Sequence, residues 1–270
     1  MKNLSNCVII TKRKSGETTM NGEAFQIARI VTAFKTGNKF EFTDYEKEIH
    51  FSFLPKGIIA KSDLWVSEPD KWLDIFPEVG IEKIYLIMDT RTNSKIRSTL
   101  GFSNSQPVII MSVYKNGRVT YWKPHWDYSD TIKGWTVEYT ENKWHNAPKS
   151  KPIFENNIRD FKSILDRTSV FAYNINENRF GDVFKAASEL LIGTLSEKEY
   201  KYADIPDLPT ENRLLFNAAS LADVFGAMGS WNDSPPGSAA QRGMGEEYDA
   251  LSDELLKQLR IAIMYAINEW

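Results

Sequence analysis

The spacing of apolar positions changes character part-way along the chain. Ahead of Pro152 most runs alternate apolar and polar residues with period two, the mark of strands with one buried face. Lys39–Thr43 (KFEFT) turns Phe40 and Phe42 the same way, and Glu48–Phe53 (EIHFSF) does so with Ile49, Phe51 and Phe53. Cys7–Thr11 (CVIIT) reads as a further short strand, and Glu82–Thr90 (EKIYLIMDT) as one buried on both faces. One helix interrupts this half. Glu23–Phe34 places Phe25, Ile27, Ala28, Ile30, Val31 and Phe34 at helical intervals, with Gly37 as its stop. Asn116-Gly117 separates two β-rich runs and tolerates the positive φ of a type I′ turn. It predicts a hairpin of Val108–Tyr114 with Arg118–Lys123, to which Gly134–Trp144 can add a third strand.

From Pro152 the period becomes that of a helix. A first helix over 153–173 stacks Phe154, Ile158, Phe161, Ile164 or Leu165, and Phe171, with Glu155 and Arg159 one turn apart as an ion pair. A second covers 179–193 and stops at Gly193; a third runs from Thr210, its N-cap, to Phe225, with Gly226 as C′ residue. A fourth begins near Glu246 and continues almost to Trp270, with Leu251, Leu255 and Leu259 on its stripe and carboxylates crowding its start. The class is therefore α+β: a β-rich, largely antiparallel amino-terminal half and a carboxyl-terminal layer or bundle of about four helices. The expected organisation is a mixed region over 1–105, then 106–270, made of a hairpin or meander (106–145) and the helical bundle (152–270).

Composition changes this picture in one respect. Aromatic residues make up 13%, with eight tryptophans, and Trp122, Trp126, Trp135 and Trp144 fall close together. They could form an aromatic surface or alternate into the core. A net charge of −3 argues against nucleic acid as a direct partner, and TKRKSG (Thr11–Gly16) is too short a basic run to reverse that. A single cysteine, Cys7, and no apolar amino-terminal run of signal-peptide length point to the cytoplasm; no stretch has the length of a membrane span.

Between the last two helices stands FGAMGSWNDSPPG (Phe225–Gly237). A phosphate loop needs glycines at a helix start, whereas Gly226 and Gly229 follow a helix end. With neither a Walker lysine nor a dinucleotide fingerprint, no cofactor is expected. Gly226 and Gly229 permit unusual backbone geometry, Ser230, Asn232 and Asp233 can close local turns, and Trp231 would pack as a plug. The same stretch could also meet a partner. Phe225, Gly226, Met228, Gly229, Ser230, Trp231, Asn232 and Asp233, followed by an acidic helix, resemble a signature of a poorly characterised family of bacterial and phage proteins, which has glycine where this chain has Ala227. The likeness reaches back through WTVEYTENKW and the three preceding helices, and it implies no activity.

One constellation could carry catalysis. His125, Asp127 and Asp130 lie just beyond the expected hairpin, and His145 follows in KWHNAP; together they could ligate a metal or serve as base and orienter. An ordinary hydrogen-bonded loop histidine is the competing reading, and no metal is expected. The preferred function is a non-catalytic protein that binds another protein, oligomeric through copies of itself. The resemblance makes an inhibitor or modulator of a host defence system one concrete version. The alternative is a small hydrolase-like, metal-dependent enzyme using His125 and the nearby carboxylates.

Overall fold

In a computed structural model of the chain, residues 22–54, 64–91, 93–94, 108–148, 151–195, 205, 207–226 and 229–270 are described. The strand expected at Cys7–Thr11 lies outside them. The elements in order are α1 (Gly22–Thr36), β1 (Glu46–Ser52), β2 (Trp65–Ser67), α2 (Pro69–Asp74), α3 (Phe76–Val79), β3 (Ile81–Met88), β4 (Val108–Tyr114), β5 (Val119–Ser129) and β6 (Gly134–Lys143). The helices α4 (Ile158–Asn174), α5 (Asn178–Leu191), α6 (Thr210–Ala222), α7 (Pro235–Ala240) and α8 (Gly245–Asn268) follow. The six strands form one sheet in the order β2-β1-β6-β5-β4-β3. Every pairing is antiparallel except β1 with β6, where Ile49 faces Val137 and Phe51 faces Tyr139 in parallel register. The class is α+β.

Strand alternation sorts the sheet into two faces. Ile49, Phe51, Trp122, Val137, Tyr139, Leu86 and Ile110 are buried and join the helices in one continuous core. Phe51 lies between two parallel rings, 4.2 Å from Trp72 and 5.0 Å from Tyr139. Each such side chain withdrawn from water contributes about 1.5–3 kcal/mol. The opposite face of β1, β6 and β5 presents His50, Ser52, Glu138, Thr140, Lys123 and His125, exposed or half-buried.

The Asn116-Gly117 hairpin forms, but with a different turn. Only Gly117 takes a positive φ, of 79°; Asn116 does not. Tyr114 N–H donates to Arg118 O and Gly117 N–H to Tyr114 O, closing a three-residue loop with glycine in the left-handed position. β5 also runs past the expected Lys123 to Ser129. Its register with β4 ends at Trp122–Ile110, while its register with β6 continues to Ser129–Gly134. Pro124, which has no N–H to give, stands just where pairing with β4 stops.

Lys39–Thr43 forms no strand despite its alternation: Phe40 N–H is taken by Asp70 Oδ1 at 2.8 Å, and Thr43 N–H by Glu46 Oε2 at 2.8 Å. α4 starts at Ile158, so Phe154 lies ahead of it and packs 5.8 Å from Tyr85. Glu155 is outside the helix too, and Arg159 approaches Asp160 (3.8 Å) in place of the expected partner. Thr210 is the first residue of α6, not its cap, and the helix ends at Ala222. Gly226 is consequently no C′ glycine, and its φ is not positive.

The long α8 packs against α4, α6 and β3. Its last turn also closes the outer edge of the sheet. Asn268 Oδ1 accepts Leu86 N–H (3.0 Å) and its Nδ2 donates to Leu86 O (2.7 Å), as a neighbouring strand would. Met264 Sδ accepts Met88 N–H at 3.3 Å. An uncovered edge strand invites pairing with another chain, and here helix side chains occupy it.

Candidate functional site

The glycine–tryptophan segment is anchored from within. Trp231 is fully buried, edge-on to Phe180 (5.2 Å) and Phe184 (5.1 Å), and its Nε1–H donates to Ser252 Oγ at 2.8 Å. Tyr248 Oη donates to Trp231 O at 2.6 Å. The polar motif residues serve the same turn: Asp233 Oδ2 accepts Gly229 N–H (2.7 Å), Asn232 Oδ1 accepts Gly226 N–H (3.3 Å), and Ser230 Oγ accepts Asn232 N–H (3.1 Å). Gly229 has φ 78°, which glycine adopts without a steric penalty. Met228 lies outside the described residues. Pro235 and Pro236 open the short helix α7. Hydrogen-bonding capacity spent this way is not available to a ligand.

The structure does not bring His125, Asp127, Asp130 and His145 together. Because this stretch is strand rather than loop, His125 and Asp127 point out from the open face, opposite Glu138 and Thr136, and Asp130 sits exposed in the following turn. His145 follows β6 at its other end, beyond the Thr120–Lys143 pair. Five strand positions from Glu138 to Lys143 span roughly 17 Å, too far for a shared ion or proton. Among the described residues no group of three His, Cys, Asp or Glu could hold a metal.

The four neighbouring tryptophans do not form one surface. Trp122 and Trp126 stand four residues apart on the inward face of β5 and are buried. Trp144 is half-buried, 5.7 Å from Tyr121. Trp135 shares the inward face of Trp126 but stands at the end of the sheet. It begins β6 at the tip of the β5–β6 hairpin, half-buried, 5.9 Å from Trp126 and 5.3 Å from Tyr128.

Around Trp135 the molecule exposes apolar groups together. Tyr128 is 49% exposed and Ile132, within the hairpin turn, is 40% exposed. The tip is braced against the start of β1: Trp135 N–H donates to Tyr45 O at 2.8 Å, and a Cβ on Gly134 would lie 3.0 Å from that same carbonyl. Phe42, also 40% exposed, is three residues before Tyr45 and so falls at this end of the sheet. Asp130 and Lys133, exposed in the same turn, give the patch a charged rim, and Lys133 holds a positive φ of 49°. Non-glycine residues at positive φ are uncommon and persist where the surroundings enforce them. Of this patch the sequence pointed only to Trp135. Ile132 was the available signal for the rest, a lone β-branched apolar residue inside the polar turn SDTIKG.

Comparison of the chain with protein-family models, with curated proteins and with solved structures gives no match.

Proposed function

We propose that the chain is a protein-binding domain that makes its contact through the aromatic tip of the β5–β6 hairpin. The observation that carries this is the ladder Trp126–Trp135–Tyr128, buried at one end and open at the other, with Ile132 exposed beside it. Tyrosine and tryptophan on a rigid support are the side chains that dominate binding energy at protein interfaces, because they bring large area with little rotamer entropy to lose. A rim of charges around an apolar centre matches the usual anatomy of such a contact.

The partner class is another protein, with self-association through the same tip as its simplest form. The resemblance of Phe225–Asp233 to bacterial and phage proteins supports a modulator of a host defence system as a concrete version. The single cysteine fits action in the cytoplasm, and among the described residues no helix is long and apolar enough to cross a membrane.

Light scattering after size exclusion, with affinity capture from a bacterial lysate, tests the reading. Wild type is expected to associate with itself or with a saturable partner, and the double variant Tyr128→Ser/Ile132→Ser to lose that association while melting normally. A monomer that captures nothing, or capture undiminished in the variant, overturns it.

A further inference from the structure

The two edges of the sheet are finished differently. At β3, Asn268 and Met264 of α8 hold the outward main-chain groups of Leu86 and Met88. β2 ends the sheet on the other side, and among the described residues nothing comparable bonds to it there. The direction of its main-chain groups follows from register. Phe53 N–H donates to Leu64 O at 3.0 Å and Glu68 N–H to Ile49 O at 2.7 Å, so the bonded pairs of β1 with β2 are 53–64, 51–66 and 49–68. The N–H and C=O groups of Trp65 and Ser67, in the pairs between, point away from β1 and off the free edge. Neither residue makes a hydrogen bond on that side among the described residues. The edge is also apolar on both faces. Trp65, 53% exposed, stands on the open face with its ring 4.6 Å from that of His50. Leu64, 43% exposed, stands on the inward face beside half-buried Val66. Short, charged or proline-bearing edges resist pairing, and β2 has only the first of these defences.

We infer that β2 pairs with β2 of a second copy, antiparallel about a twofold axis at Val66, so that the two sheets join edge to edge. In this register Trp65 stands opposite Ser67 of the other copy, and each such pair exchanges two N–H···O bonds, four in all. A twofold about Ser67 would instead bring Trp65 against Pro69, which has no N–H to give. The side chains fit the same register. A large ring faces a small hydroxymethyl group twice, and Leu64 and Val66 of both copies line the inward face. Like charges do not meet, because β2 carries none and Glu68, held by Lys71 at 3.0 Å, falls opposite Leu64. The contact is also closed: α8 already occupies the β3 edge of each copy, so pairing stops at two. Self-matching register and closure select a second copy over a foreign strand. This surface is separate from the hairpin tip, since Trp65 pairs with Ser52 while the tip lies at the Glu46 end of β1, against Trp135.

Sedimentation velocity on the full chain, across a wide range of concentration, measures the dimer. Ser67→Ala and Ser67→Pro both remove the hydroxyl, but only proline removes the outward N–H, and because a single copy leaves that N–H unpaired the two should melt alike. Ser67→Pro is expected to weaken the dimer about thirtyfold relative to Ser67→Ala, the effect of one hydrogen bond lost from each copy. Val66→Cys, in a Cys7→Ser background, reads the register itself. Residues facing each other at a non-bonded antiparallel pair have Cα atoms about 4.5 Å apart, within disulfide reach. Mild oxidation should therefore link two copies through position 66, whereas Leu64→Cys should stay unlinked. In the wild type, amide exchange at Trp65 and Ser67 should slow as protein concentration rises, while Val66, bonded to Phe51, is slow throughout. Tyr128→Ser/Ile132→Ser should keep this dimer while losing whatever the tip binds, so either contact can fail without the other. A chain monomeric at every concentration, equal dimerisation by the two Ser67 variants, no disulfide at position 66 or as much at 64, amide exchange independent of concentration, or a dimer lost in the tip variant each overturns the inference.

Discussion

Replacing Trp231 with alanine removes the ring that joins the glycine-rich segment to α5 and α8. The ring is fully buried, and three aromatic neighbours, Phe180, Phe184 and Tyr248, stand within 5.3 Å of its centre. Truncation of such a side chain costs about 3–5 kcal/mol, because the cavity left behind closes only partly. Ser252 Oγ also loses the indole N–H it accepts. Against a total stability of about 5–15 kcal/mol this is a large fraction, equivalent to a fall of roughly 10 °C in melting temperature for a chain of this size. Trp231→Phe separates the two contributions: it keeps most ring contact and should cost only about 1–2 kcal/mol, mainly the hydrogen bond. Urea unfolding followed by far-ultraviolet circular dichroism measures both. A Trp231→Ala protein within about 1 kcal/mol of wild type would refute the assignment of this segment to architecture.

Asn268→Ala should leave Leu86 N–H and C=O without buried partners, a loss of about 2–4 kcal/mol, and should free the β3 edge. Concentration-dependent association on size exclusion is the expected readout, and a stable variant with an unchanged elution volume contradicts it. Alkaline stability should follow two opposed titrations. Burial lowers Lys35 to about 8 although Glu269 opposes the shift, so between pH 8 and 10.5 the folded state holds fewer protons than the unfolded one and stability rises with pH. Burial raises Tyr139, Tyr114 and Tyr248 above the ordinary value of 10.0, so above pH 10 the unfolded phenols ionise first and stability falls. Urea midpoints should climb slightly from pH 8 to 10 and drop beyond; a midpoint still climbing at pH 11 contradicts the tyrosine assignment.

What was legible in the sequence was local. The helical stripes of α5 and α8 follow from the spacing of Phe180, Phe184, Leu255 and Leu259, and the β4–β5 hairpin follows from a Gly117 that only a turn explains. What was hidden was set by distant partners. Nothing near Ile49 announces its parallel neighbour Val137, and KFEFT has the pattern of a strand but no adjacent chain to pair with. Pro124 and the charged residues around it disguised the length of β5, and with it the outward direction of His125 and Asp127. The hairpin tip escaped for the same reason: an expected loop became the end of a strand, and Tyr128 came to stand beside Trp135 through cross-strand register.

A photoreactive amino acid placed at position 132 reads the proposed contact directly, with one at Val170, 60% exposed on α4, as the reference. Irradiation in the host cell is expected to join position 132 to a second copy or to one recurrent protein, and to leave position 170 unlinked. Equal labelling from both positions, or none from 132, would contradict the account.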